Sequence, residues 1–510
     1  MQRGVYLKNA AIMTATGLIL RAVGMLFRIY IAGKIGAQGM GVYQLITTAY
    51  TMAVTLGTAG LTLAATRICA DLLAEGCEGQ VKRALHKVVT LGVTAGVITA
   101  GFLFFGADFI SVNWLTEPRA ALSLRILAPS LPFMSVSASL RGYFMARRNV
   151  VPPSRAQLLE QAVRIAVVAG LFYVFDPQEI VFSCAVVVVG NTVSEAVSWL
   201  ILSLGYRKDL QSLPSDTGRN NHNRSALLAT WMPIAGNQCL ATALHTVENV
   251  MVPAALAAFW ASRETALEQY GALKGMAMPV LFFPFSLLGT LSALLMPEIA
   301  SAYVQRKKAL LCRLIQRVML ITLVLSIFAA LEFTVFAKPI GQVLYQSEEI
   351  GFYLGILGPL MPFLYLESMV DGMLKGVDQQ FATFRYTMLD SVLRIAAIAF
   401  FVPRWGMKGF LFVMLLSNLF TCSMNLVRLI QVTQCGFEWM RWVFKPLFCA
   451  FLAAVFHRFV MTPCTQEWSM LVRLLTEGAA VALVYFVLIE WTGCLSWREF
   501  LQNIKMKREE

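Results

Sequence analysis

Glu367, Asp371 and Lys375 interrupt an otherwise apolar stretch, ILGPLMPFLYLESMVDGMLKG at 356–376. Spaced four apart, they fall within about an 80° arc of one helix face. Ionisable groups in a bilayer core cost several kcal/mol unless they meet a wet cavity or a partner, so the stripe suits an interior lining. Similar groups recur along the chain. Arg21 and Arg28 lie seven apart on one face of the first apolar run, with no local acid. Arg67, Arg141 and Arg164 follow, with Glu160 and Glu195 as the main acids of that half. The other half carries Glu248, Glu332, Glu367, Asp371 and Asp390 against Lys274, Lys375 and Arg394. Guanidinium groups bind anions by charge-assisted hydrogen bonds, whereas buried carboxylates take up cations or protons. Arg21, Arg28, Arg67, Arg141 and Arg164 are therefore candidate substrate-binding residues for an anion. Glu248, Glu367, Asp371 and Asp390 are candidates for cation or proton coupling.

Plainer roles compete. Arg164 and Arg394 stand four residues after Glu160 and Asp390, the spacing of an intrahelical salt bridge. Lys375 could mark the cytoplasmic end of its span, and Arg67 could be an ordinary positive anchor. His245 and Glu248 lie one turn apart, which fits polar packing better than a metal site.

Several of these groups sit in a repeat. Residues 126–166 align without a gap to 356–396, at a constant offset of 230. Both copies keep Ile-Leu-x-Pro-x-x-Pro-Phe, Gly142 and Gly372, Arg155 and Arg385, and Arg-Ile-Ala at 164–166 and 394–396. Asp371 thus stands where the first copy has Arg141. A weaker echo links 56–70 with 288–302. The paired prolines at 129/132 and 359/362 predict bends in both copies.

The chain has 510 residues, 58% hydrophobic and 14% charged, with a mean hydropathy of +0.66. So little charge cannot cover a soluble protein of this length, and the class is an all-α polytopic membrane protein. The net charge of +13 does not imply nucleic acid, because basic residues cluster in short segments between apolar runs. Spans of about 20 apolar residues are expected at 9–33, 40–66, 88–107, 121–146, 157–175, 180–205 and 225–258. Further ones are expected at 272–300, 310–336, 352–374, 386–402, 408–430, 442–461 and 469–491, making about fourteen transmembrane helices. The first lacks a small-residue cleavage site and contains Arg21, so it is expected to be retained. Two six-helix lobes, 1–224 and 225–436, form a parallel repeat, and 437–510 adds a C-terminal helix pair and tail. Of 42 Lys and Arg, 27 fall in alternate loops and tails that include both termini, and 7 in the opposite loops. That asymmetry puts both termini in the cytoplasm. Ten cysteines are scattered without metal-ligand spacing, mostly in apolar runs or cytoplasmic loops, and no disulfide framework is expected.

The segment LRAVGMLFRIYIAGKIGAQGMGVYQLITTAYTMAVTLGTAGLTLAATRICAD at 20–71 resembles the opening of the stage V sporulation protein B-like exporters of polysaccharide biosynthesis. These belong to the multidrug/oligosaccharidyl-lipid/polysaccharide superfamily, which includes the peptidoglycan lipid II flippases. The matching features are RxxG, a second Arg seven on, the IG-x-x-G-x-G-V-Y turn and a Gly-rich second span. HTVENVMVPAAL at 245–256 resembles the family's seventh span, with Glu248 where Asp is commoner. The resemblance implies a flippase that moves a lipid-linked oligosaccharide or peptidoglycan precursor from inner to outer leaflet by alternating access. It implies a polyprenyl pyrophosphate-linked saccharide as cargo, with Arg21 and Arg28 at positions that contact pyrophosphate in lipid II flippases. It also implies a bacterial cell membrane location, contact with membrane lipids, and association with cell-wall or spore-cortex synthesis enzymes. No cofactor is expected, though the acidic residues could take Na+ or H+ for coupling. Three alternatives remain: a multidrug/cation antiporter of the same superfamily, a scaffold that recruits wall-synthesis enzymes without transporting anything, and a membrane-embedded glycan ligase or transferase. The short outer loops and the lack of a Walker A or HExxH motif weigh against the last.

Overall fold

The computed structural model describes residues 2–211, 224–465 and 467–494, which are nearly all helical, with no strand among them. In a bilayer every backbone N–H and C=O must be satisfied within the chain, and helices achieve this segment by segment. The chain separates into two compact units.

The first unit comprises the chain up to Gly275 together with Ile395–Phe410. Its main helices are α1 (Gln2–Thr58), α2 (Leu61–Ala74), α3 (Val81–Phe105), α4 (Ser130–Ala146), α5 (Val151–Phe175), α6 (Ile180–Leu210), α7 (Arg224–Trp260) and α8 (Arg263–Tyr270). The expected first and second spans join in α1 across Gly36, whose φ of 69° is in the left-handed region that glycine adopts at no steric cost. The second span then breaks at Gly60, φ 72°, before α2. Its freed N–H donates to Gln238 Oε1 at 3.0 Å. Ser135 Oγ donates to the Gly57 carbonyl at 3.1 Å on the other side of the break.

Small residues set the packing of this unit, as is usual where helices associate within lipid. A Cβ on Gly41 would lie 2.1 Å from the Leu267 carbonyl oxygen, and one on Gly271 would lie 2.0 Å from that of Ala37. The IG-x-x-G-x-G-V-Y segment thus presses backbone to backbone on α8 and the turn after it. Gly142 brings α4 equally close to α2, where Thr66 Oγ1 donates to the Gly142 carbonyl at 3.1 Å. One buried cluster contains Leu45, Ile46, Leu124, Leu131 and Val188. Another contains Leu61, Leu85, Leu140, Tyr143 and Phe144.

The second unit comprises Met276–Arg394 and the chain from Leu411 onward. It contains α9 (Phe285–Val304), α10 (Lys308–Val335), α11 (Glu348–Leu357), α12 (Met361–Gly376), most of α13 (Gln380–Thr433), α14 (Lys445–Phe456) and α15 (Met470–Trp491). The expected eleventh and twelfth spans merge into α13 across Gly406, φ 58°. Among the described residues ten helices are long and apolar enough to cross a membrane, or eleven if one bent pair counts as a single span. With α1 and α13 taken once each, this number does not confirm the expected fourteen. α1 and α13 each hold two expected spans, and the backbone leaves helical geometry between them at Gly36 and at Gly406; the 272–300 segment is divided among Gly271–Ala277, Met278–Phe282 and α9. The paired prolines act differently in the two copies. Around Pro129 the chain bends by 49°, whereas around Pro359 it passes through a short 3-10 turn, Gly358–Leu360, within one span.

The expectation of no disulfide is corrected: Cys312 and Cys435 are bonded, with Cα atoms 5.3 Å apart. The bond ties the start of α10 to the residues just after α13. Lys308 Nζ donates to Gln434 Oε1 at 2.7 Å in the same place. The partners lie 123 residues apart, so neither spacing nor local composition pairs them.

Candidate substrate and coupling sites

On α1, Arg21, Gly24 and Arg28 follow i, i+3, i+7 spacing and share a face. Arg21 is exposed and Arg28 half-buried. Among the described residues neither has a carboxylate within ion-pair distance, and the same holds for exposed Arg67 on α2. A Cβ on Gly24 would lie 3.9 Å from Gln161 Nε2, so the arginine face of α1 borders α5.

On that side of α5 lies a four-charge cluster. Arg164 Nη2 donates to Glu160 Oε1 at 2.8 Å, and its Nη1 donates to Gln161 Oε1 at 3.3 Å. From α4, Arg141 Nη2 reaches the other Glu160 oxygen at 3.4 Å and Ser198 Oγ at 3.2 Å. Glu195 on α6 stands 3.9 Å from Arg164, and its Oε2 is buried without a hydrogen-bond partner. Glu160 therefore bridges two guanidiniums. Arg141 and Arg164 are occupied by carboxylates in this state, unlike Arg21 and Arg28. Among the described residues the five candidate arginines thus divide into three without carboxylate partners and two already paired.

Glu248, on α7, is buried. Its Oε1 lies 4.0 Å from Lys274 Nζ and its Oε2 lies 3.7 Å from His245 Nδ1. Such distances describe a loose polar cluster. Near the loop before α4, buried Glu117 accepts from Arg119 Nε at 2.5 Å, and Arg263 Nη2 donates to the Leu115 carbonyl at 2.6 Å. Burial pushes the Arg263 guanidinium down from its usual pKa, an effect that Glu117 opposes. Sequence reading missed this clamp because its members come from separate loops.

In the second unit, Lys375 Nζ donates to Asp371 Oδ2 at 2.6 Å, one turn along α12. Arg394 pairs with Asp390 one turn back, and Ser417 Oγ donates to the other Asp390 oxygen at 2.7 Å. Glu367 is half-buried on the same helix as Asp371. The i, i+4 acid–Arg pair is thus made in both copies of the repeat, at Glu160–Arg164 and Asp390–Arg394. A further cluster escaped the sequence reading. Glu477 on α15 is buried, accepts from Arg473 Nε at 2.8 Å, and hydrogen-bonds His457 Nε2 at 2.8 Å and Thr465 Oγ1. The i, i+4 spacing of Arg473 and Glu477 was the available signal.

The model of one protein family, described as "Polysaccharide biosynthesis protein", matches residues 6–303. The chain belongs to the polysaccharide biosynthesis protein family. It is 27% identical over 421 residues to stage V sporulation protein B of Bacillus subtilis (strain 168), covering 80% of each chain. The fold of this family member is similar to that of lipid II flippase MurJ in an inward closed conformation. That match has a TM-score of 0.69 and 13% identity, and covers 96% of this chain and 99% of that one. It is also similar to an inward-facing multidrug resistance MATE family transporter of the MOP superfamily, with a TM-score of 0.67 at 12% identity, covering 84% and 100% of the two chains. This family member is accordingly a multi-pass membrane protein with the fold of that transporter superfamily.

Proposed function

We propose that the protein is a flippase that moves a lipid-linked oligosaccharide or peptidoglycan precursor from the inner to the outer leaflet of the bacterial cell membrane by alternating access. Family membership, together with similarity to proteins named for sporulation and for lipid II flipping, supports this reading. The observation that carries it to a residue level is the face of α1 that holds Arg21 and Arg28 without carboxylate partners among the described residues.

A polyprenyl pyrophosphate saccharide cannot cross unaided, because its anionic headgroup would lose its hydration. Guanidiniums replace that water with bidentate hydrogen bonds to phosphate oxygens. Arg21 and Arg28 grip the pyrophosphate, and Arg67 is a further proposed anion contact. Arg141 and Arg164 serve as a reserve whose charge Glu160 and Glu195 balance. The asymmetry of loop charge supports cytoplasmic termini, so loading occurs from inside. Outward movement of an anion is then favoured by an inside-negative potential, by about 2.3 kcal/mol per charge per 100 mV. Glu248, Glu367, Asp371 and Asp390 are the proposed sites for Na+ or H+ that reset the carrier. Cell-wall or spore-cortex synthesis enzymes are proposed partners.

Purified protein in vesicles containing a fluorescent undecaprenyl pyrophosphate saccharide tests the reading. The label should become accessible to a membrane-impermeant quencher at a rate proportional to protein content. The MATE-like fold supports a second reading, a multidrug/cation antiporter. Ion-driven efflux of a cationic dye with no flipping of the labelled lipid would establish that reading instead.

A further inference from the structure

The first unit contains a cavity of about 850 Å³ where the start of α3 meets α4 and the end of α6. Neither Arg21 nor Arg28 lines it, nor do Arg141, Glu160, Arg164 or Glu195. Its rim is cationic, with Lys82, Arg83 and Lys87 from the first two turns of α3 and Arg207 from the last turn of α6. No Asp or Glu lines it among the described residues. The rest of its lining is mainly apolar and includes Leu85, Val89, Val136, Leu140 and Trp199. Trp199 is eight residues from Arg207, about 12 Å along the helix.

The placement of these cations is unfavourable for α3 alone. A helix N-terminus carries unpaired N–H groups and partial positive charge, which favour anions and disfavour Lys or Arg. Yet α3 has no acidic residue in its first turn, and its N-cap Gln80 supplies no side-chain hydrogen bond. An anion in the cavity would meet both the positive end of α3 and the four cations of its lining. A free phosphate ion would satisfy the cations but not the apolar part of the lining. A lipid satisfies both, since basic pockets between transmembrane helices on the cytoplasmic side suit anionic headgroups.

We propose that this cavity binds an anionic phospholipid of the inner leaflet, with its phosphate held by Lys82, Lys87 and Arg207 and an acyl chain lying along Trp199. The inference is independent of which cargo the protein carries.

Tryptophan quenching by brominated lipids tests it on the purified full-length protein in detergent. The part of the signal due to Trp199 is obtained by difference from W199F. Brominated phosphatidylglycerol should quench Trp199 at about a hundredfold lower concentration than brominated phosphatidylcholine, about fivefold for each of three cations. The K82Q/K87Q/R207Q variant should lose that preference, and the charge-preserving K82R/K87R/R207K should keep it. Ten millimolar inorganic phosphate (on the order of cellular levels) should leave lipid quenching unchanged. Equal quenching by the two lipids would overturn the proposal. So would a preference that survives charge removal in a monodisperse variant. Displacement of the lipid by phosphate would assign the site to a free anion instead. Should K82Q/K87Q/R207Q fail to fold, the comparison of the two lipids on the wild-type protein decides.

Discussion

Replacing Glu160 with Gln keeps the shape of the side chain and removes the one carboxylate shared by Arg141 and Arg164. Glu160 is 14% exposed and the two arginines 29% and 23%, so the cluster is screened from solvent without being sealed. Removing one member of a fully buried pair costs about 3–5 kcal/mol, whereas exposed pairs are worth less than about 1 kcal/mol. Between these limits, and with two charge-assisted hydrogen bonds weakened, E160Q should destabilise the protein by about 2 kcal/mol. In thermal unfolding of the purified protein this corresponds, for a chain of 510 residues, to a fall in Tm of about 2 °C. Glu195 provides the internal comparison. Its nearest guanidinium contact is 3.9 Å and one of its oxygens has no hydrogen bond, so E195Q should shift stability by less than about 0.5 kcal/mol. The double variant E160Q/R164Q should cost less than the sum of its single changes, because Arg164 is then not left facing a missing carboxylate and only Arg141 loses its partner. An unchanged Tm for E160Q, or a larger loss for E195Q, would show that Glu160 does not organise the cluster.

Gly41→Ala would drive a methyl group into the Leu267 carbonyl, which backbone cannot easily avoid. A loss of at least about 2 kcal/mol, or of monodisperse protein, is expected by size-exclusion chromatography and thermal unfolding. Cys312 and Cys435 should be recovered as one linked peptide by mass spectrometry without reductant, and C312S should lower stability by about 2–4 kcal/mol. Glu477→Gln, which removes a buried carboxylate held by Arg473, His457 and Thr465, should cost about 3 kcal/mol in the same unfolding assay.

The pairs that the sequence exposes are those set by helix geometry. Glu160–Arg164 and Asp390–Arg394 follow from i, i+4 spacing, and the repeat picks out both. Contacts between helices are a different matter. That Arg141 shares Glu160 depends on how α4 meets α5, and that Cys312 meets Cys435, 123 residues on, depends on where α10 begins and α13 ends. Glycines show a similar divide. The glycine-rich turn at 35–43 stands out in the sequence, yet only the fold shows that Gly36 supplies a left-handed turn and Gly41 a close approach. The break at Gly60 was hidden for a related reason. An apolar run signals a membrane span whether or not its helix is continuous, and the Gln238 side chain that satisfies the break comes from α7.

The central claim is that Arg21 and Arg28 hold the pyrophosphate of a lipid-linked saccharide. It is tested most directly by measuring, on purified wild-type, R21Q and R28Q proteins, the affinity for an undecaprenyl pyrophosphate saccharide and for the matching monophosphate lipid. Each variant should bind the pyrophosphate lipid about thirtyfold more weakly, the worth of a charge-assisted hydrogen-bond pair near 2 kcal/mol. The preference over the monophosphate should shrink with it. Wild-type affinity and preference in both variants would contradict the account.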